Sequence, residues 1–434
     1  MRRSILLPFL LAPFTLLAQE IYFPPTTGDT WETTDPASLG WCTDQMPALL
    51  DFLESSNSKA FIVLKDGRIV IEEYFGTFEQ DSSWYWASAG KSLTAFLVGL
   101  AQQDGLLDID EPSSTYLGEG WTSCTPEQEA AITVRHQLTM TTGLNDTTGD
   151  LDCTDPECLQ YLADPGTRWA YYNAPYTKLD GVITGATGQN LNGYVYNKLG
   201  QTIGLLGLYL PLGYNNVFFS TPRVMARFGL LAMNGGEWNG TPIMSDTDYF
   251  TNMTTPSQEI NPAYGYLWWL NGQEDFMLPG LQVSFPGPLM PDAPQEAYSA
   301  MGKNGQIINV VPSEGLVVIR MGDLPGGIFV PNVYNNDIWE RLNAVICTST
   351  GISDRNAKKM DVYPNPTTGL VRLADATNNS NAEVIAADGR MTGMPLLNGT
   401  LDLGGFPAGI YLIRIRNLTG KMTVHRVIVS SSGQ

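Results

Sequence analysis

The chain has 434 residues and a mass of 47.5 kDa, with 24 Lys and Arg against 44 Asp and Glu, a formal net charge of −20. So acidic a chain has no electrostatic footprint for DNA, RNA or an anionic membrane surface, and its 43% apolar content is too high for a disordered acidic segment. The length accommodates two or three domains with ample core.

In chain order, Arg2 and Arg3 precede an apolar run over 5–17 that contains Pro8 and Pro13. Leu16 and Ala18 then stand at the −3 and −1 positions of a cleavage before Gln19. This is the pattern of a secretory leader over 1–18. The run is short of the ~20 residues a spanning helix needs, and no other long apolar run follows, so no transmembrane segment is expected. Loss of Arg2 and Arg3 takes the charge from −20 to −22.

Residues 19–347 read as one large α/β unit. A helix over 45–55 leads into two alternating strands, 60–65 and 68–74, joined by a turn at Asp66-Gly67. A short strand over 82–86 runs into a helix over 88–100. Near the far end, strands over 306–311 and 315–321 form a hairpin around Pro312, followed by a helix over 336–346. Strands at both ends with helices between predict an antiparallel sheet completed by both chain ends, flanked by helices, with a helical subdomain inserted.

A polar run over 348–359 reads as a linker. From 360 to 434 short alternating runs at 383–386, 409–415 and 422–429 are separated by turn residues such as Asp388-Gly389 and Asn398-Gly399. That is the pattern of a small β-sandwich. The pieces Val362-Tyr363-Pro364-Asn365-Pro366, Asp388-Gly389 and Pro407-Ala408-Gly409-Ile410-Tyr411-Leu412 resemble, in this order, the C-terminal sorting domain of type IX secretion cargo. The resemblance implies the type IX machinery as a partner and a secreted or cell-surface destination beyond the outer membrane.

An exported chain permits disulfides. Cys153 and Cys158 could close a small loop, while Cys42 and Cys347 bracket the large unit; the pairing is open, and one of five cysteines must be left over.

The sharpest local signal is Ser88-Ala89-Gly90-Lys91 at a strand-to-helix junction. Positions i and i+3 share a helix face, so the Lys91 amine can reach the Ser88 hydroxyl, and a desolvated lysine can serve as the base a serine nucleophile requires. Alone the spacing is weak: about 0.5 such pairs is expected by chance, and Ser56-Asn57-Ser58-Lys59 is a second match in a polar turn. Gly90-Lys91-Ser92 is not a phosphate loop, because Tyr85 holds the place of the earlier glycine; Trp86 likewise excludes a Gly-x-Ser-x-Gly elbow. Only His136 and His425 exist, the second in the sorting segment. His136 opens a helix, where a structural role is expected, so neither a histidine triad nor an imidazole metal site is predicted. The Asp150, Asp152, Asp155 cluster lacks the spacing of a calcium loop and reads as a solvated acidic loop.

Further along, Tyr171-Tyr172-Asn173 and Lys303-Asn304-Gly305 follow Ser88-x-x-Lys91 in order. With these three motifs the large unit resembles the serine β-lactamase and penicillin-binding-protein superfamily, in its class C-like esterase and 6-aminohexanoate-dimer-hydrolase branch. The stretches Thr141-Thr142-Gly143-Leu144 and Ser220-Thr221-Pro222-Arg223 fit the same pattern. The resemblance implies Ser88 as acylated nucleophile, Lys91 as its base, and Tyr171 as partner base and acid with a phenolate favoured by nearby lysines. It implies Asn173 as a group that binds substrate or holds Lys91 in place, Lys303 as positive charge beside Tyr171 and the substrate, and the backbone N–H groups of Ser88 and Gln306 as the oxyanion hole, beside Asn304 and Gly305. No metal or cofactor is implied.

Asn304 stands where lactam hydrolases carry a hydroxyl, which argues against β-lactams as substrates. The expected activity is cleavage of a small or peptide-like ester or amide. The alternatives are a D-amino-acid peptidase, a weak β-lactamase, or a catalytically silent surface binding protein. The run Tyr264, Tyr266, Trp268, Trp269 lines either the cleft or the core.

Overall fold

The computed structural model describes residues 20–147, 149–326 and 330–347, and, further on, 362–363, 365, 367–373, 381–386, 390–397, 399–416 and 422–430. The expected leader over 1–18, the linker over 348–359 and the turns at Asp388-Gly389 and Asn398 lie outside the described residues.

Six antiparallel strands form the main sheet: β1 (Ser58–Lys65), β2 (Arg68–Tyr74), β6 (Trp269–Leu270), β7 (Tyr298–Gly302), β8 (Gln306–Val311) and β9 (Leu316–Gly322), in the order β2-β1-β9-β8-β7-β6. Between them in the chain, β3 (Trp84–Tyr85), β4 (Gly207–Leu212) and β5 (Asn215–Ser220) make a separate small sheet in the order β3-β5-β4. The short strand before Ser88 thus pairs with β5, outside the main sheet.

Strands β8 and β9 are buried throughout and are mostly Val, Ile and Leu, as strands covered on both faces are, with Gln306, Asn309 and Arg320 as their buried polar members. Neighbouring residues of β8 show what covers them. Ile308 faces helix α4 (Pro222–Met233), where a Cβ on Gly229 would lie 3.2 Å from its Cγ2 and 2.4 Å from Val317. Asn309, on the opposite face, accepts a hydrogen bond from Asn335 at 2.7 Å on helix α5 (Asn332–Ile346). Helix α1 (Met46–Ser55) packs beside α5.

Helix α2 (Gly90–Gln103) is buried from Gly90 to Ala101, mostly through Leu, Phe, Val and Ala side chains but with Lys91, Ser92 and Thr94 enclosed as well. Its residue Gly99 has no room for a side chain, since a Cβ would fall 2.4 Å from the Tyr249 ring.

Cys42 pairs with Cys347, with Cα atoms 5.5 Å apart, and Cys153 pairs with Cys158; Cys124 is the free one. The first bridge ties the start of α1 to the end of α5, where Cys42 N–H also donates to Val345 O at 2.8 Å.

The segment after 360 forms two small sheets around Val371, Leu373, Val384, Leu401, Ile413 and Val427. Asn365 holds the last strand, Met422–Val429, through bonds to Arg426 O at 2.9 Å and from Ile428 N–H at 2.8 Å. The Tyr411 hydroxyl donates to Pro407 O at 2.8 Å. No helix among the described residues is long and apolar enough to cross a membrane.

Candidate active site

Strand β3 delivers the chain into a tight 3-10 turn, Ala87–Ala89, that opens α2. Trp86 anchors the entry: it is fully buried, and its indole donates to Ser220 Oγ at 2.8 Å. Ala87 then adopts φ +46°, a conformation costly for a residue with a side chain, on the order of 1–3 kcal/mol. The backbone is therefore held in an unfavourable bend just where Ser88 is presented. Ser88 is half-buried at the positive end of α2, which favours negative charge nearby.

One turn on, Lys91 Nζ lies 3.2 Å from Ser88 Oγ. Lys91 is only 4% exposed, and its nitrogen sits 4.1 Å from the centre of the Tyr176 ring and 5.3 Å from that of Tyr171. Burial pushes its pKa down to about 7. The carboxylates of Asp152 and Asp180 pull the other way, but desolvation wins. Asp180 itself is raised to about 7 by burial, against a hydrogen bond from Asn216 at 2.7 Å.

Tyr171 is packed against Trp269 (5.6 Å between ring centres, nearly parallel) and edge-on to Tyr264 at 6.2 Å. The aromatic run thus divides: Tyr264 and Trp269 wall Tyr171, while Trp268 stacks on Phe228 in the core and Tyr266 meets Tyr249. Burial drives the Tyr171 phenol well above its usual range, and the hydrogen bond with Ser88 opposes this only in part. Desolvation thus disfavours the expected phenolate and favours the neutral phenol of Tyr171.

The remaining expected site residues are dispersed around this centre. Asn173 donates to Asp152 Oδ1 at 2.8 Å, while its own Oδ1 is buried without a partner. The acidic loop is therefore not simply solvated: Asp152 is half-buried beside the site. Lys303, Asn304 and Gly305 form the turn between β7 and β8, with Lys303 exposed. Asn304 at φ +63° spends its amide on Tyr85 OH (2.9 Å) and Asp323 (3.2 Å). The Gln306 side chain is consumed by Gly322 N and O. His136 accepts from Thr133 N–H at 3.1 Å and caps its own helix, α3 (Val134–Leu138).

Sequence reasoning missed Gly302 and Arg320. A Cβ on Gly302 would lie 3.0 Å from Ser88 N and 2.5 Å from Trp86 O, so only glycine lets β7 abut the Ser88 turn. A glycine closing an apolar run just before Lys303 was the available signal. A cleft of about 670 Å³ lined by Asp180, Asn192, Tyr209 and Asn216 opens on the other side of Asp180 and does not include Ser88. Among the described residues no cluster of His, Cys, Asp or Glu is arranged to hold a metal ion.

The beta-lactamase family profile matches residues 54–327, and that of the secretion system C-terminal sorting domain matches 361–430. An uncharacterised protein of Alkalihalophilus pseudofirmus is 25% identical over 308 residues, covering 62% of this chain and 84% of its own length. A provisionally named beta-lactamase from Bacteroides dorei superposes with a TM-score of 0.56 at 16% identity, over 70% of this chain and 98% of that one. A provisionally named 6-aminohexanoate-dimer hydrolase from Bacillus anthracis does so with 0.54 at 18% identity, over 68% and 82%. With more than half its length matched, and with serine, lysine and tyrosine gathered at the head of one helix, the chain belongs to the beta-lactamase family and carries a C-terminal sorting domain.

Proposed function

We propose that the protein is an exported serine hydrolase that cleaves an ester or amide through an acyl-enzyme on Ser88. The observation that carries this reading is the 3.2 Å approach of Lys91 Nζ to Ser88 Oγ inside a buried site. A lysine held near pH 7 is neutral in a large fraction of molecules and can take the serine proton.

In this mechanism Ser88 Oγ attacks the carbonyl carbon as its proton passes to Lys91. The oxyanion is met by the N–H groups of Ser88 and Gln306, where donors act on charge that develops only in the transition state. Tyr171, protonated at rest, gives its proton to the leaving oxygen or nitrogen and regains one from the Lys91 ammonium. Water then attacks the acyl-enzyme with the same groups acting in reverse, releasing the acid and restoring Ser88. Lys303 supplies positive charge at the rim, and Asn173 offers its unpartnered Oδ1 to a substrate N–H.

Two observations favour a linear ester or amide over a β-lactam. Asn304 lacks the hydroxyl, and its amide is engaged with Tyr85 and Asp323. We propose residues 1–18 as a leader, 19–347 as the catalytic domain, 348–359 as a linker and 360–434 as the address read by the type IX machinery.

Labelling with a fluorophosphonate probe tests the enzyme reading: wild type should be labelled and Ser88→Ala should not. An unlabelled wild type, or equal labelling of both, defeats it. Turnover of p-nitrophenyl esters, linear amides, D-Ala peptides and nitrocefin then ranks the substrates, with rapid nitrocefin hydrolysis counting against the ester or amide assignment.

A further inference from the structure

Arg320, on β9, is completely buried, and no carboxylate takes part in its hydrogen bonds. Its guanidinium instead spends its donors on the backbone behind the Lys303–Gly305 turn. Nη1 donates to Asn304 O at 2.8 Å and to Gly305 O at 2.9 Å. Nη2 donates to Ser56 O at 2.9 Å and Nε to Ser58 Oγ at 3.0 Å, with the Tyr334 ring centre 5.0 Å from Cζ. Room for the group is made by two glycines. A Cβ on Gly305 would lie 2.4 Å from Nη1, and one on Gly322 would lie 2.4 Å from Cζ.

A buried cation is costly unless its donors are all used, so this arrangement needs a reason. The turn it grips is an unfavourable one, with Asn304 at φ +63° and Gly305 at φ +82° in succession. The peptide unit is planar and trans, so a carbonyl pointing one way turns the next N–H the opposite way. With Gly305 O fixed on Arg320, the Gln306 N–H is directed away from the guanidinium. The same clamp sets Asn304, whose amide reaches Tyr85, three residues before Ser88.

We propose that Arg320 is a positioning residue for the oxyanion hole: by holding the carbonyls of Asn304 and Gly305 it fixes the direction of the Gln306 N–H. This rests on the hydrolase reading above. Arg320 touches no substrate, and it acts through the peptide plane alone. Lysine cannot replace it, since one ammonium cannot span acceptors on the turn, on Ser56 and on Ser58 together.

The test compares p-nitrophenyl acetate with its thionoester analogue in wild type, Arg320→Lys and Arg320→Ala. A mispositioned donor penalises the oxygen ester more than the sulfur one, whose larger, weaker acceptor depends less on the hole. Arg320→Lys should lose ~10²-fold in kcat for the oxygen ester with KM little changed, and the oxygen-to-sulfur preference should collapse by ~10-fold. Millimolar guanidinium should restore part of the Arg320→Ala activity. A folded variant with an unchanged oxygen-to-sulfur ratio overturns the proposal, whatever its total rate.

Should both variants fail to fold, Ser58→Ala removes one acceptor from the far side of the guanidinium. It should lower the ratio by ~3-fold, and an unchanged ratio overturns the proposal equally. If wild type itself turns over neither ester and resists the fluorophosphonate, the hydrolase reading falls and this inference with it; a labelled wild type with insensitive variants removes this inference alone.

Discussion

Asn173 donates its amide to Asp152 at 2.8 Å, and so ties the segment bearing Tyr171 to the acidic loop closed by Cys153 and Cys158. The Tyr172 hydroxyl adds a bond to Cys158 O at 3.3 Å, and Ala174 N–H donates to Leu151 O at 3.1 Å. The loop thus delivers a carboxylate to the pocket that holds the poorly solvated Lys91.

Asp152 favours the protonated form of Lys91. Asp152→Asn should therefore move the acidic limb of the kcat/KM profile to lower pH, and Asp180→Asn should do the same. An unmoved limb in both variants would show that neither carboxylate acts on Lys91. Reduction of the Cys153–Cys158 bridge should lower kcat while the protein stays folded.

The pH profile of wild type follows from the same group. With Lys91 brought down to about 7, the base is neutral above that pH and occupied below it. Activity toward a neutral ester should rise through an inflection near pH 7. A limb near 10 would mean that the lysine is not desolvated in solution.

Lys91→Met should abolish fluorophosphonate labelling and, at neutral pH, raise the melting temperature by a few degrees, since a desolvated amine is replaced by an apolar chain of similar length. Its pH dependence has a definite sign. Unfolded Lys91 titrates near 10.5 and folded Lys91 near 7, so between them the unfolded chain binds the extra proton and wild-type stability rises with pH. The gap between wild type and Lys91→Met should narrow from pH 7 toward pH 10.5, as calorimetry would record.

Gly302→Ala should be among the most damaging small substitutions. Its Cβ would meet backbone rather than a yielding side chain, at 2.5 Å from Trp86 O and 2.8 Å from Ala89 N. We expect a stability loss of about 1–3 kcal/mol together with an activity loss of ~10²-fold or more. Retention of full activity would show that β7 does not need to abut the nucleophile turn.

Cys42→Ser with Cys347→Ser should cost about 2–5 kcal/mol in thermal or denaturant unfolding, because the bridge joins residues 305 apart and closes α1 onto α5. For the tail, deletion of 360–434 should leave the protein in the periplasm, and unchanged export would refute the address role.

Much of this was legible from residue order. Ser88-x-x-Lys91, Tyr171 and Lys303 could be picked out because a hydroxyl, an amine and a phenol in ordered motifs are set by residue type. The antiparallel hairpins could be read from alternation and turn residues, with ends shifted by only a few positions, as in the last helix, which begins at Asn332 rather than 336. Arg320 was not legible, since an arginine inside a Val and Ile run gives no sign of which carbonyls it will meet. The Tyr171 proton was misjudged for a related reason. Nearby lysines are visible in a sequence, whereas the wall of Trp269 and Tyr264 that dries the phenol arises only from packing. Asp152 was set aside as solvated because its partner, Asn173, comes 21 residues later.

The β1–β9 pair of the main sheet joins strands from opposite ends of the domain, with Ser58 opposite Gly322 and Lys65 opposite Leu316. Contacts so distant in sequence make for slow folding, because a long loop must close before either strand is rewarded. A nascent chain that stops short of residue 316 has β1 without its inner neighbour, and Ser88 has no finished wall to lean on. Catalytic competence should therefore arise late and all at once, when the last strand and helix of the domain arrive, and a fragment ending before β9 should be inert toward every substrate however intact its motifs.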